Sequence, residues 1–357
     1  MFFPNNWKFE DILYLIYSKK YKTNEIIHII NNYDDLNSFF QNQIGLFPYT
    51  IKEFDKILNI RDTQLKSLEK YNAKIISFWD ESYPSLLKEI SYPPIFLIVT
   101  GILQKSDSLS ISVVGTRKPS NYGRDNAQKF VKVFAENGII ITSGMAYGID
   151  SIAHQTAIEN NGITYAVIAS GLDKVTNFTR DKINKIIDSN GAVITEFLFG
   201  ISAKPGYFPQ RNRIISGISK ALLIIESALK GGSMITARFA FDQNREIFAI
   251  PNNINAEKSK GCNYLIYKNI AIAALTPEQI LTDLNIKYKS NNKKQEIIIE
   301  DHQEKLIFDL LNHDPIHIDV IADKLNMNIT DVLVKLLNLE FRGIIKQMPG
   351  KYFLKNI

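Results

Sequence analysis

The sequence predicts an α/β protein with a doubly wound, mostly parallel sheet as its core, a helical domain before it and a helix-and-hairpin domain after it. Three observations carry this. From about Ser110, short β-rich runs alternate with helical stretches long enough for crossovers. Those runs are almost continuously apolar, as strands covered on both faces must be. Glycine turns close several of them, at the carboxyl ends where ligands of such sheets bind. A chain of 357 residues also exceeds what one core usually organises, so several domains are expected.

The elements follow in order. Residues 1–80 read as a helical N-terminal domain, with apolar residues at helical spacing through Ile12-Leu13-Leu15-Ile16 and Ile26-Ile27-Ile29-Ile30. A short strand, Lys74–Trp79, ends it. Tyr83-Pro84 and Pro93-Pro94 then mark an irregular connector, because proline resists both helix and central strand. The core spans 81–285, with strands expected at Ile111–Val114, Gly138–Thr142, Tyr165–Ser170, Ala192–Thr195, Ala221–Glu226, Glu246–Ile250 and Ile270–Ala274. Residues 287–294 are polar and basic without an apolar period, so 286–300 is read as a linker. Residues 301–357 hold three short amphipathic helices, Lys305–Leu311, Ile318–Leu325 and Ile329–Leu339, and a hairpin turning at Met348-Pro349-Gly350-Lys351. That is the outline of a winged helix.

Composition narrows the function. A single cysteine, Cys262, excludes an internal disulfide framework and a multi-cysteine zinc site and fits a reducing compartment. No apolar run approaches the roughly 20 residues that span a bilayer, and the N-terminus lacks a basic region followed by an apolar stretch. A cytoplasmic protein with no membrane partner, no metal and no cofactor is expected. The net charge is only +5, yet residues 200–268 carry ten Lys/Arg against four acids. A local basic surplus among glycines suits a phosphate ligand. Residues 301–357 instead carry seven basic and eight acidic side chains, which favours a protein-binding role there over DNA binding.

The motifs sharpen this. Phe208-Pro209-Gln210-Arg211-Asn212-Arg213 sets an aromatic and an amide beside two arginines, a combination suited to single-stranded nucleic acid or a nucleotide. After the first core strand, Gly115 allows a tight turn, the next helix offers unpaired N–H groups, and Arg117 can clamp a phosphate. After the second, Ser143-Gly144-Met145-Ala146-Tyr147-Gly148 forms a backbone nest. Ala169-Ser170-Gly171-Leu172-Asp173 is a third such turn. Gly231-Gly232-Ser233 opens a helix that also bears Thr236 and Arg238. Neither the dinucleotide fingerprint nor a Walker A loop occurs. His154, in helical register with Ile158 and without a cysteine or acid cluster beside it, reads as a packing residue.

Taken in order, Val114-Gly115-Thr116-Arg117, Ser143-Gly144 with Gly148-Ile149-Asp150 and His154, Ser170–Asp173, Phe208–Ile215 and Gly231–Ala237 resemble the DNA-processing protein A (DprA, also called Smf) family. The resemblance covers about Tyr83 to Thr276. It implies a Rossmann-like core that binds single-stranded DNA without sequence preference, protects incoming DNA in natural transformation, loads the RecA recombinase, forms a homodimer and performs no catalysis. By motif, Arg117, Ser143, Gly144, Gly148, Phe208, Arg211, Arg213, Gly232 and Ser233 would line the DNA groove, with Lys204 and Arg238 as further phosphate contacts. The helical N-terminus would be sterile-alpha-motif-like and the C-terminus a winged helix. Three departures stand out. Lys174-Val175-Thr176 replaces the family's Tyr-Pro, Gly231-Gly232-Ser233 its Ser-Gly-Ser, and Pro251-Asn252 its Pro-Gly, where Asn can supply a positive φ.

The main rival is a Rossmann-like nucleotide-binding or nucleotide-hydrolysing enzyme related to phosphoribohydrolases, whose loop reads PGGxGTxxE. Phe239 stands where that glutamate would be, leaving Glu226 and Asp173 as the available acids. A structural adaptor is a third reading, but it leaves the glycine and arginine positions unexplained.

Overall fold

The computed structural model describes residues 2–43, 51–105, 108–288, 299, 301–312 and 314–355, in two compact units divided between 288 and 289. The first unit opens with helices α1 (Phe9–Ser18), α2 (Thr23–Asn32), α3 (Leu36–Gln43) and α4 (Ile51–Lys70). The Asp11 and Glu25 carboxylates accept from the Lys8 and Lys22 amides, satisfying orphan donors at the starts of α1 and α2. Their apolar stripes meet around Trp7, Phe9, Phe39 and Phe40 and pack on Phe96, Ile98 and Val193 of the sheet. Gln64 of α4 ties this region to the core through both ends of its amide. It donates to the Phe199 carbonyl at 3.3 Å and accepts from the Phe199 amide at 2.9 Å.

Strand β1 (Ala73–Ser77), short helix α5 (Ser85–Lys88) and strand β2 (Phe96–Gly101) lead into the core. There β3 (Ser110–Val114), α6 (Asn121–Glu136), β4 (Ile140–Ser143), α7 (Ile149–Glu159), β5 (Thr164–Val167), α8 (Asn177–Asp188) and β6 (Ala192–Thr195) form one half. The other half is α9 (Tyr207–Ile218), β7 (Ala221–Ile224), α10 (Gly232–Asp242), β8 (Glu246–Ala249), α11 (Lys260–Tyr267), β9 (Ile272–Ala273) and α12 (Pro277–Asp283). The nine-stranded sheet has the order β1-β2-β6-β5-β4-β3-β7-β8-β9. From β6 to β9 every pairing is parallel, while β1 and β2 run antiparallel at one edge. This is the predicted doubly wound, Rossmann-like class.

All seven expected core strands are present. β2 was not expected, because its apolar run follows Pro93-Pro94 at once and reads as the end of the connector. With β2 in place, β1 pairs along its length and becomes the sheet's edge.

Strand alternation divides the core. Val113, Ile141 and Leu223 face α6, α7 and α12, while Val114, Leu222 and Ile224 face α9, α10 and α11. A buried hydroxyl cluster fixes α9 against β3: Ser112 Oγ donates to the Ile215 carbonyl at 2.7 Å, and Ser219 lies 2.6 Å from Ser110 and 2.8 Å from Ser112. α9 therefore stands in one register over the sheet.

The second unit contains α13 (His302–Leu310), β10 (Ile316–His317), α14 (Ile318–Leu325), α15 (Ile329–Phe341), β11 (Ile345–Met348) and β12 (Tyr352–Lys355), with its sheet in the order β10-β12-β11. Asp301 and Asn328 cap α13 and α15 through their side chains, and Asn326 ends α14 at a φ of 51°. Three helices and a hairpin make the expected winged helix. β10 is too short to show a period in sequence. Most of the expected linker, 289–298 and 300, lies outside the described residues.

Candidate nucleic-acid interface

The strand order reverses between β3 and β7, and a cleft of about 640 Å³ opens at their carboxyl ends. A reversal point leaves adjacent loops diverging to opposite faces, and the gap between them is the natural binding site. The Gly115-Thr116-Arg117 turn, the first turns of α9 and the Ser227–Ser233 segment line it.

Helix geometry sorts the side chains of α9. Phe208, Arg211, Asn212 and Ile215 recur at helical i, i+3, i+4, i+7 spacing, and all four line the cleft. Arg213 falls on the opposite side, where it bonds the Glu196 carboxylate and donates to the Tyr92 carbonyl at 2.7 Å. Asn212 was not singled out from sequence. Reading the segment as helix rather than as a loop is the signal that finds it.

Arg211 is 5% exposed and donates to the carbonyls of Gly144 and Val167. It thus clamps the ends of β4 and β5 beneath the cleft, while its Nε has no partner among the described residues. Burial lowers its pKa to about 10, opposed by buried Asp150 and reinforced by Arg117. Burial raises the Asp150 carboxyl, and the Arg211 charge opposes that shift. Gly144 leaves room for this pair: a Cβ would lie 2.5 Å from Arg211 Nη1 and 2.8 Å from Asp150 Oδ2, so both side-chain ends would have to shift. Gly148 has φ +81°, and a Cβ there would lie 2.4 Å from the Thr116 carbonyl. It lets the β4 loop close on the β3 loop. The buried Ser143 hydroxyl donates to the Val113 carbonyl at 2.6 Å. None of these three lines the cleft itself, contrary to the expectation; they brace the β4 loop and Arg211 behind its lining residues.

At the mouth, the exposed Arg117 guanidinium stands 5.9 Å from the Phe208 ring centroid, and Phe208 is 37% exposed. Gly231 precedes α10 without a side-chain cap, so the amides of the first turn, from Gly232 and Ser233 onward, carry the helix's positive end. Nothing stands within 4 Å of where a Gly232 Cβ would be. Ser233 Oγ donates to Ser227 Oγ at 2.7 Å, bracing this turn from inside. Lys204 is exposed next to lining residue Pro205, with its Nζ 5.9 Å from the Tyr207 ring. The structure therefore gathers Arg117, Phe208, Arg211, Gly232 and Ser233 in one cleft, with Lys204 at its edge. Arg213 and the exposed Arg238 are not among the lining residues.

The remaining acids are engaged. Glu226 is 2% exposed, accepts from the Ser120 amide at 2.9 Å and from its hydroxyl, and so anchors the start of α6. Asp173 accepts from the Gly200 amide at 2.8 Å and pairs with Lys174 at 3.5 Å. His154 is buried and bonds Thr164 Oγ1 at 2.6 Å, as a packing histidine would. Among the described residues no cluster of His, Cys, Asp or Glu suits a metal, and no helix is long and apolar enough to cross a membrane. Two of the sequence departures resolve locally. Thr176 caps α8 by accepting from the Thr179 amide. Asn252 does not use a positive φ; its side chain instead accepts from the Asn253 amide at 2.6 Å.

The fold and cleft define a Rossmann-like protein whose cleft brings together arginines, an aromatic ring and a helix N-terminus. The profile of the DNA recombination-mediator protein A family matches residues 74–285, and that of the DprA winged helix domain matches 292–351. Protein Smf of Escherichia coli K12 is 33% identical over 339 residues, covering 92% of this chain and 90% of Smf. The crystal structure of DNA processing protein A from Streptococcus pneumoniae aligns with a TM-score of 0.58 at 28% identity, over 78% of this chain and 94% of that one. DNA processing protein A from Helicobacter pylori, described for its single-stranded DNA binding mode, aligns with a TM-score of 0.55 at 27% identity, over 61% of this chain and 98% of that one. The chain belongs to the DprA/Smf family.

Proposed function

We propose that this protein binds single-stranded DNA without sequence preference in the cleft at the β3/β7 reversal. The observation that carries the reading is the Arg117–Phe208 pair beside the uncapped start of α10. A base stacks on the half-exposed Phe208 ring, which every base can do because every base has a π-face. Arg117, Lys204 and the amides at Gly232 and Ser233 hold phosphates, which carry no sequence information. Arg211 acts from below by fixing the loops, and Arg213 by fixing α9 to Glu196. Relatives named for DNA processing, one of them described for its single-stranded DNA binding mode, support the ligand class.

On the same reading the protein protects incoming DNA and hands it to RecA, acts as a homodimer and works in the cytoplasm without catalysis. Engagement of Glu226 and Asp173 in structural bonds supports binding over hydrolysis. Exposed Phe241 and Ile272 beside edge strand β9 support self-association.

Fluorescence anisotropy with labelled oligo-dT, a mixed-sequence strand and a duplex tests the ligand. Similar affinity for the two single strands and weaker duplex binding are expected. Duplex preference, or turnover of a nucleotide in the same cleft, would replace this reading with the enzyme or another binding class. Strand exchange by RecA with and without the protein tests the hand-over, and sedimentation tests the dimer.

A further inference from the structure

A second concavity, of about 200 Å³, lies between α7 and α8 and is lined by Ser151, His154, Ile158, Lys182, Lys185 and Ile186 among others. Its distinguishing feature is a buried polar atom that the fold leaves unused. Thr164 Oγ1 donates its only proton to the Ile141 carbonyl at 2.7 Å, so His154 Nδ1 must donate to that hydroxyl. His154 Nε2 is therefore an unprotonated acceptor, on a side chain 4% exposed, and has no partner among the described residues. Burial, reinforced by Lys182 and Arg211, holds the ring neutral, lowering its pKa to about 3. A buried acceptor without a donor is costly, so a ligand that supplies an N–H or O–H is favoured there.

The surroundings add phosphate chemistry and continuity with the cleft. Lys182 donates to Ser151 Oγ at 2.8 Å and lies 5.8 Å from the Tyr147 ring, which is 66% exposed. Lys185 is exposed one helical turn away. The acid on the wall, Glu159, accepts from Gln155 at 2.7 Å. One short segment joins the two concavities: Ala146 lines the cleft, Ser151 lines the groove, and the Ser151 hydroxyl donates to the Ala146 carbonyl at 2.7 Å.

We propose that the α7/α8 groove is a second subsite for the same single strand, in which an entering nucleobase uncovers the buried His154 Nε2 and donates an N–H to it while Lys182 and Lys185 hold its flanking phosphates. Every base carries an N–H donor on an edge left free in a single strand, so this contact needs no particular sequence. Tyr147 is the stacking platform between the two subsites. The inference rests on the single-strand reading of the main cleft.

The test is a length series of oligo-dT, from about 6 to about 16 nucleotides, the range one binding module occupies. Wild type is compared with Ile158→Trp, which fills the groove, and with the double variant Lys182→Ala/Lys185→Ala. The short strand should bind all three proteins alike. The long strand should bind wild type about tenfold tighter than the short one, and both variants should lose that gain. In protein labelled with 15N-histidine, the His154 Nε2 resonance should move with the long strand and stay in place with the short one. No gain with length, a gain that survives Ile158→Trp, or a motionless Nε2 resonance would mean that the groove holds water only, and each overturns the subsite. Failure of the short strand to bind wild type would instead overturn the reading of the main cleft.

Discussion

The sheet-end cleft and the winged helix are both architectures that present a helix to a ligand, yet they offer opposite chemistry. The cleft presents Arg117, an exposed ring and the bare start of α10. The corresponding surface of the C-terminal unit, on α15, presents Val334, Leu337 and Phe341 in one helical stripe, with Phe341 88% exposed and Asp331 and Glu340 on the flanks. On the proposed reading a polyanion is drawn to the first, while the second, with seven basic and eight acidic side chains in residues 301–357, offers it no basic surplus. Fold alone would propose DNA for both, and the side chains favour the proposal for one.

Substitutions separate the parts of that contrast. Arg211→Ala has the largest expected effect, because it strands two buried carbonyls and leaves Asp150 without its counter-charge. A loss of about 2–4 kcal/mol in stability is expected, with DNA binding lost alongside, measured by denaturant unfolding and anisotropy. If binding fell with stability unchanged, Arg211 would be a phosphate ligand rather than the clamp beneath the cleft.

The buried imidazole makes the first unit acid-sensitive. The folded state holds His154 near a pKa of about 3, below its ordinary 6.5, so between these values it binds fewer protons than the unfolded chain. The stability conferred by the neutral ring is complete above pH 6.5 and is lost as pH falls toward 3, at up to about 1.4 kcal/mol per pH unit. Urea titrations across this window should show a shallower acid slope for His154→Gln.

Phe208→Ala should cost on the order of 1–3 kcal/mol in single-strand affinity and leave the melting temperature nearly unchanged, since the ring is half exposed and stacks on the ligand. The smallest effect is expected in the other region. Lys346→Ala/Lys351→Ala should leave both affinity and salt dependence unchanged, and a clear loss would bring the winged helix into the DNA site.

Much of this was legible in the sequence, and the reasons for the rest are physical. Core strands announce themselves because burial on both faces demands continuous apolar runs. Gly115, Gly144 and Gly148 mark places where a side chain would meet Ile149, Arg211 or the Thr116 carbonyl, so the tight loops around the cleft were visible as glycines. The roles of the arginines were not. Sequence shows that Arg211 and Arg213 carry charge, but only the helical phase of α9 sends one beneath the cleft and the other to Glu196. β2 was hidden by the prolines before it. The Asp150 partnership spans 61 positions of chain, and no local pattern encodes it.

The most direct test of the central claim is the slope of log affinity against log salt for oligo-dT, measured for wild type and Arg117→Ala. A phosphate-holding arginine predicts weaker binding to every sequence and a slope reduced by about 0.7 for the one contact removed. An unchanged slope, or a change in sequence preference, would contradict the assignment of the cleft to the DNA backbone.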